Sequence, residues 1–223
     1  MVAERRPGAR GIRLRADSID GAVRFTLPPR GGIADAATLL DRHQDWLARQ
    51  VAGWPVPLPF APGAIIPFDG STLMLDWAAA HPRLPQRNGD VLRIGGPIDA
   101  LPARVLRWLK AAALADMEPL TRALAARVDR NVSQVRVGDT RSRWGSCVGN
   151  GAGAGRIAYS WRLILAPSLV RRNVVAHEVA HLVHANHGPG FHALLAELDA
   201  NGAASKRWLR AHGAGLHWVG RAA

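Results

Sequence analysis

Apolar and polar residues alternate over short stretches near the start of the chain. Ile12 to Arg15 and Val23 to Leu27 read as two strands, and the Asp20-Gly21 turn signal between them predicts a hairpin. The period then lengthens. Ile33, Ala37, Leu40, Leu47 and Val51 fall at helical spacing with Trp46 on the same face, which predicts one helix from Ile33 to Val51. Pro55, Pro57 and Pro59 end it, because proline cannot continue a helical hydrogen-bond ladder. Leu73 to Trp77 and Val91 to Ile94 predict further short strands, with His81 to Asp90 as a proline- and arginine-containing loop.

From Pro102 the pattern changes again. Leu106, Leu109, Ala113, Met117, Leu120 and Leu124 recur every three or four residues, the signature of a long amphipathic helix, kinked or divided near Pro119. Three strand-like stretches come next: Val132 to Val137, Arg141 to Cys147 and Ile157 to Ile164. The glycine-rich Gly149 to Gly155 joins two of them. It lacks a following Lys-Ser or Lys-Thr and an adjoining helix, so it reads as a turn and not as a phosphate cradle. Pro167 or Ser168 opens another helix. The expectation is an α+β chain in two parts, a β-rich module with one helix over residues 1–100 and a second domain over 101–223.

The chemistry sits on that last helix. From Asn173 to His187, Val175, Val179, Leu182 and Val183 form an apolar stripe, and histidines occupy the other face. At 3.6 residues per turn His177 and His181 project from one side, one turn apart, so both imidazoles can reach a single ion at roughly 2.0 to 2.1 Å. Glu178 points about 100° away around the axis, beside an ion rather than on it. This is the H-E-x-x-H pattern. Zinc held there acidifies its water, and Glu178 is placed to accept the proton as general base and return it to the leaving group.

A catalytic zinc takes a third protein ligand and keeps one position open. His187 is the candidate, since Asn186 and Gly188 let the chain turn back toward the ion and Pro189 suits the first turn of a new helix, which the pattern runs to about Ala200. His184, His192 and Glu197 are the alternatives. Arg141, Arg143 and Tyr159 are candidates for contacting substrate or an oxyanion. Cys147 reads as a small strand residue, because no Cys-His-Asn arrangement accompanies it. Trp144 and Trp161 read as core aromatics.

Composition refines this only modestly. The formal charge is +12, which favours an acidic partner such as nucleic acid. Yet Lys110 and Lys206 are the only lysines among 29 basic residues, and the arginines are spread along the chain rather than massed. Hydrophobic runs are too short to span a membrane, and Met1 to Gly11 is arginine-rich with no apolar stretch behind it. One cysteine allows no internal disulfide. These features fit a cytoplasmic protein.

Several segments together resemble the YgjP-like family of zinc metallopeptidase domains, related to the SprT-like proteases. They are Arg143-Trp144-Gly145-Ser146-Cys147, Ile157 through Trp161-Arg162-Leu163-Ile164-Leu165-Ala166-Pro167, His177-Glu178-Val179-Ala180-His181-Leu182, and Asn186-His187 with Phe191. The resemblance is strong from Arg104 to about Leu198 and looser through Arg24 to Pro28 and the helix holding Trp46. It implies a zincin-like catalytic domain, a small sheet over an active-site helix, with His177, His181 and His187 as zinc ligands and Glu178 as acid/base. Two positions depart from the family pattern: Ser160, where Asn is frequent, and His192, where an aromatic residue is common.

The expected function is therefore zinc-dependent hydrolysis of a peptide or protein inside the cell, with nucleic acid as a further partner. Two other classes compete. One is a metal-dependent hydrolase of nucleotides or other phosphoanhydrides such as a pyrophosphatase, with arginines holding phosphate. The other is a zinc-stabilised nucleic-acid-binding module, which a vacant metal position and an adjacent base disfavour.

Overall fold

The computed structural model describes residues 1–149 and 153–222. The glycine-rich turn expected at Gly149 to Gly155 thus falls partly outside the described residues. Among those described, the chain is mixed α/β, with six α-helices and three small sheets that each combine parallel and antiparallel pairs. No described helix is long and apolar enough to cross a membrane. Two compact units are distinguished, Met1–Val56 and Pro57–Ala223, whereas the sequence pattern places the module boundary near residue 100.

In the first unit, β2 (Arg13–Asp17) and β3 (Ala22–Leu27) form the expected antiparallel hairpin, with Gly21 supplying a φ of 65° in its turn. A strand not anticipated, β1 (Val2–Arg5), pairs parallel with β3. Its residues are all exposed, so no alternation of buried and open positions marks it. The expected single helix is two: α1 (Ile33–Arg42) and α2 (Gln44–Ala52), broken at His43. Phe25, Leu27 and Ala36 form the small core, with Leu40 packed against it, while Ile33 and Val51 remain exposed. Ala36 rather than Ala37 is the buried alanine of α1, whereas Leu40, Trp46 and Leu47 of the predicted face are half-buried.

The second unit opens with a sheet ordered β4-β5-β7-β6, from β4 (Ile65–Phe68), β5 (Ser71–Trp77), β6 (Gln86–Asn88) and β7 (Val91–Ile94). Asp69 and Gly70, with φ of 51° and 76°, make the two-residue connection between β4 and β5. Positive φ at both central residues matches the right-handed strand twist. Ile66, Leu73, Leu75, Leu92 and Ile94 are wholly buried, in the same core as the long helix α3 (Leu101–Arg127). That shared core joins the sheet to the helical part of the chain. α3 runs undivided through Pro119, since Met117, Thr121 and Leu124 bury its face on both sides and offset the roughly 3 kcal/mol of a helical proline.

A three-stranded sheet then lies beside the helices, β10 (Gly155–Ser160) at its centre, parallel to β8 (Val132–Gly138) and antiparallel to β9 (Gly145–Val148). The last expected strand stops early. Trp161–Leu165 is a 3-10 turn, and Leu163, Ile164 and Leu165 are all buried, a continuous apolar run that imitates a buried strand. Three helices complete the unit: α4 (Ser168–Ala180), α5 (Pro189–Leu198) and the unanticipated α6 (Gly202–Leu216).

Helix α4 is buried almost all round, so its position is fixed by more than one face. Arg171, 3% exposed, adds a polar anchor. Its guanidinium donates to Asp116 of α3 (2.8 Å), to Asp69 in the β4–β5 turn (2.6 Å) and to the Ala166 carbonyl (2.6 Å). Such a fork can satisfy all these acceptors at fixed geometry.

Candidate metal centre

The regular part of α4 ends at Ala180, earlier than the His187 end implied by the apolar stripe. His181 caps it, and Leu182, Val183 and His184 continue as a tight turn bonded back to Val179 and Ala180. His177 and His181 therefore occupy the last turn, where the chain begins to leave the axis. Gly188 precedes α5 and Pro189 opens it, as the turn residues suggested. The bend returns His187 to the helix face.

His177, His181 and His187 offer ring nitrogens that all lie within 4.8 Å of one another. The Nε2 atoms of His177 and His187 are 3.1 Å apart. Tetrahedral bonds of about 2.05 Å place ligand atoms about 3.3 Å apart, so this donor set suits one small divalent ion. His181 is oriented further. Its Nδ1 lies 3.0 Å from the His184 carbonyl, which can only accept. Nδ1 is then the protonated nitrogen, and Nε2 keeps its lone pair for the cluster. His184, His192 and Glu197 do not enter this group.

Phe191, 1% exposed, lies against all three rings, with centroid distances of 5.0 Å to His177 and 4.6 Å to both His181 and His187. An apolar support of this kind limits ring rotation. Burial, and then the neighbouring His181 and His187, push the His177 imidazole down to about 4, so it is a neutral donor at pH 7. Sequence reasoning does not assign Phe191 this part, although its place two residues after the Pro189 helix start puts it on the facing turn.

Glu178 is 5% exposed and lines the same cleft as His177 and His181. Burial pushes its carboxyl up to about 7, while the Arg143 guanidinium pulls the other way. The cleft measures about 430 Å³ and is walled on the opposite side by β9, through Gly145, Ser146 and Cys147. β9 is an edge strand of its sheet. Nothing in the sequence pattern singles out Gly145, yet a side chain there would collide with Glu178.

The remaining candidates separate. Arg143 is exposed and lines the cleft. Arg141 is exposed but is not among the residues lining it. Tyr159 is fully buried, and its hydroxyl pairs with Thr121 of α3 at 2.9 Å, which removes it from the cleft surface. Burial holds its phenol well above the usual range. Cys147 is half-buried with its thiol pushed up to about 11 by burial, the opposite of an activated nucleophile.

No curated protein and no solved structure gives a significant match to the chain. A family model does, over nearly the whole length. On the match of residues 10–212, the chain belongs to the YgjP-like family, as a metallopeptidase domain.

Proposed function

We propose that this protein is a zinc-dependent peptidase with a zincin-like catalytic domain, in which His177, His181 and His187 hold the ion and Glu178 is the general base. The reading rests on one observation above all: three imidazole nitrogens converge within ligand distance of one another, and two of these histidines, His177 and His181, line an open cleft together with the buried carboxylate of Glu178. Imidazole donors in this number favour zinc and leave a coordination position for substrate chemistry. A bound zinc would supply a Lewis acid that acidifies water and polarises a peptide carbonyl.

The chain's own residues account for the rest. Glu178 takes a proton from water as its oxygen attacks the peptide carbon, then returns that proton to the amine nitrogen as the C–N bond breaks. Burial raises the Glu178 carboxyl above its ordinary value in the metal-free protein, which strengthens it as a proton acceptor. Arg143 stands at the cleft as the charged group for an anionic part of the substrate or a developing oxyanion. The free edge of β9 can pair with an extended peptide backbone, which places a scissile bond along the cleft.

Zinc-loaded protein incubated with casein, with a nucleoside triphosphate and with protein-coated DNA, each beside the Glu178→Gln variant, tests this. Casein cleavage that is lost in the variant is expected. Hydrolysis of the nucleotide alone would overturn the reading in favour of phosphoanhydride chemistry. Preferential cleavage of the DNA-bound protein would assign nucleic acid as the partner that the +12 charge suggests.

A further inference from the structure

A second hollow of about 250 Å³ adjoins the reactive groups, between α4 and α6. It shares Glu178, His177 and Gly145 with the main cleft, so whatever fills it sits next to the reacting atoms. Its apolar walls come from Trp144, Val174 and Leu209, and beside the shared Glu178 and His177 its polar groups are Arg143, Asn173, Ser205 and Lys206. Arg143 and Lys206 are both exposed, and neither forms an ion pair among the described residues. Asn173, 6% exposed, has an amide nitrogen that is buried and without a hydrogen-bond partner. A buried donor without an acceptor is destabilising, and an acceptor brought by a ligand would relieve it.

We propose that this hollow is the subsite for an acidic side chain next to the scissile bond of the peptide substrate, an inference that rests on the peptidase reading above. Apolar walls fit the methylene stem of Glu or Asp, and two cations with one amide donor fit its carboxylate. A basic side chain meets two like charges in the same place, so the discrimination has an attractive and a repulsive part. Lys206 belongs to α6, which supplies none of the three imidazoles.

The test uses the full chain loaded with zinc and a set of quenched fluorescent peptides with Glu, Gln or Lys at each position flanking one bond. A further peptide carries its sole carboxylate at the C-terminus. The wild type should cleave a Glu peptide about tenfold faster, in kcat/KM, than its Gln counterpart, and slowest with Lys. Lys206→Glu should reverse the order while zinc content stays at the wild-type level. In parallel, Glu178→Gln binds the same peptides without turnover, and anisotropy should show the Glu peptide held more tightly, with Lys206→Ala in that background removing the difference.

Equal cleavage of Glu, Gln and Lys peptides, or a Glu preference that survives Lys206→Glu, would overturn the subsite while leaving the peptidase intact. Preference confined to the terminal carboxylate would overturn the side-chain assignment. Cleavage of no peptide at all would bring down the peptidase reading and the subsite together.

Discussion

Gly145 of β9 stands against the side chain of Glu178: a Cβ added at Gly145 would lie 2.5 Å from the Glu178 Oε1 and 2.6 Å from its Cγ. No real Cβ tolerates such contacts. The strand gives up a side chain so that the helix can keep its carboxylate in the cleft. Gly145→Ala should therefore displace Glu178 by about an ångström and lower kcat at least about a hundredfold. Zinc content should not change, because the three atoms nearest to the added Cβ all belong to Glu178 and none to an imidazole. Metal analysis beside turnover checks this, and full activity in the variant would mean that Glu178 is not held where the proton transfer needs it.

His181 and His184 make a second contrast. One offers a ring nitrogen to the cluster, while the other contributes its main-chain carbonyl as the acceptor for that ring. His181→Ala should lose the metal, and His184→Ala should retain it, since alanine has the same carbonyl. Zinc stoichiometry after dialysis distinguishes the two. Equal loss in both would return His184 to the ligand set.

How far these arrangements are legible in the sequence depends on which interactions are local. The helical spacing of His177, Glu178 and His181 and the turn residues around His187 are short-range, and the triad can be read from them. Asp69-Gly70 and Gly89-Asp90 are equally local hairpin signals, and β4 and β6 escape a reading of hydrophobic pattern that gives those dipeptides no weight. Other features are out of reach. That Gly145 faces Glu178 depends on how β9 packs against α4, and that Tyr159 pairs with Thr121 depends on α3 crossing β10. Trp161–Leu165 misleads for a different reason: five residues with a nearly continuous apolar run carry no periodicity that separates a 3-10 turn from a strand.

Arg171 gives a prediction about stability rather than chemistry. It is buried, yet its two carboxylate partners are partly exposed, with Asp69 and Asp116 side chains open by 46% and 38%. Removing the guanidinium leaves those acids able to reach water, so the cost should fall at the low end of that for breaking a buried pair, about 3 kcal/mol. Arg171→Ala should lower the urea midpoint accordingly and loosen the start of α4. Asp116→Asn should cost less, because Asp69 and the Ala166 carbonyl still hold the guanidinium. A midpoint unchanged in Arg171→Ala would remove this network from any part in positioning the helix.

The buried Glu178 carboxyl also sets a pH dependence in the metal-free protein. Its folded pKa, about 7, lies above the ordinary 4.5, so between these values the native state binds more protons than the unfolded one. Stability then falls as pH rises from about 4.5 through 7. His177 acts in the opposite sense: with its folded value lowered to about 4 from 6.5, it adds stability as pH rises across that interval. The two oppose each other in the wild type, and Glu178→Gln separates them. Metal-free Glu178→Gln should match the wild type below about pH 4.5 and exceed it above pH 7, by on the order of 3 kcal/mol. Thermal unfolding in chelator at pH 4.5 and pH 8 measures the difference. A wild type as stable as the variant at pH 8 would show that the carboxylate ionises there at no cost, and that its place in the cleft is wetter than the 5% exposure of Glu178 implies.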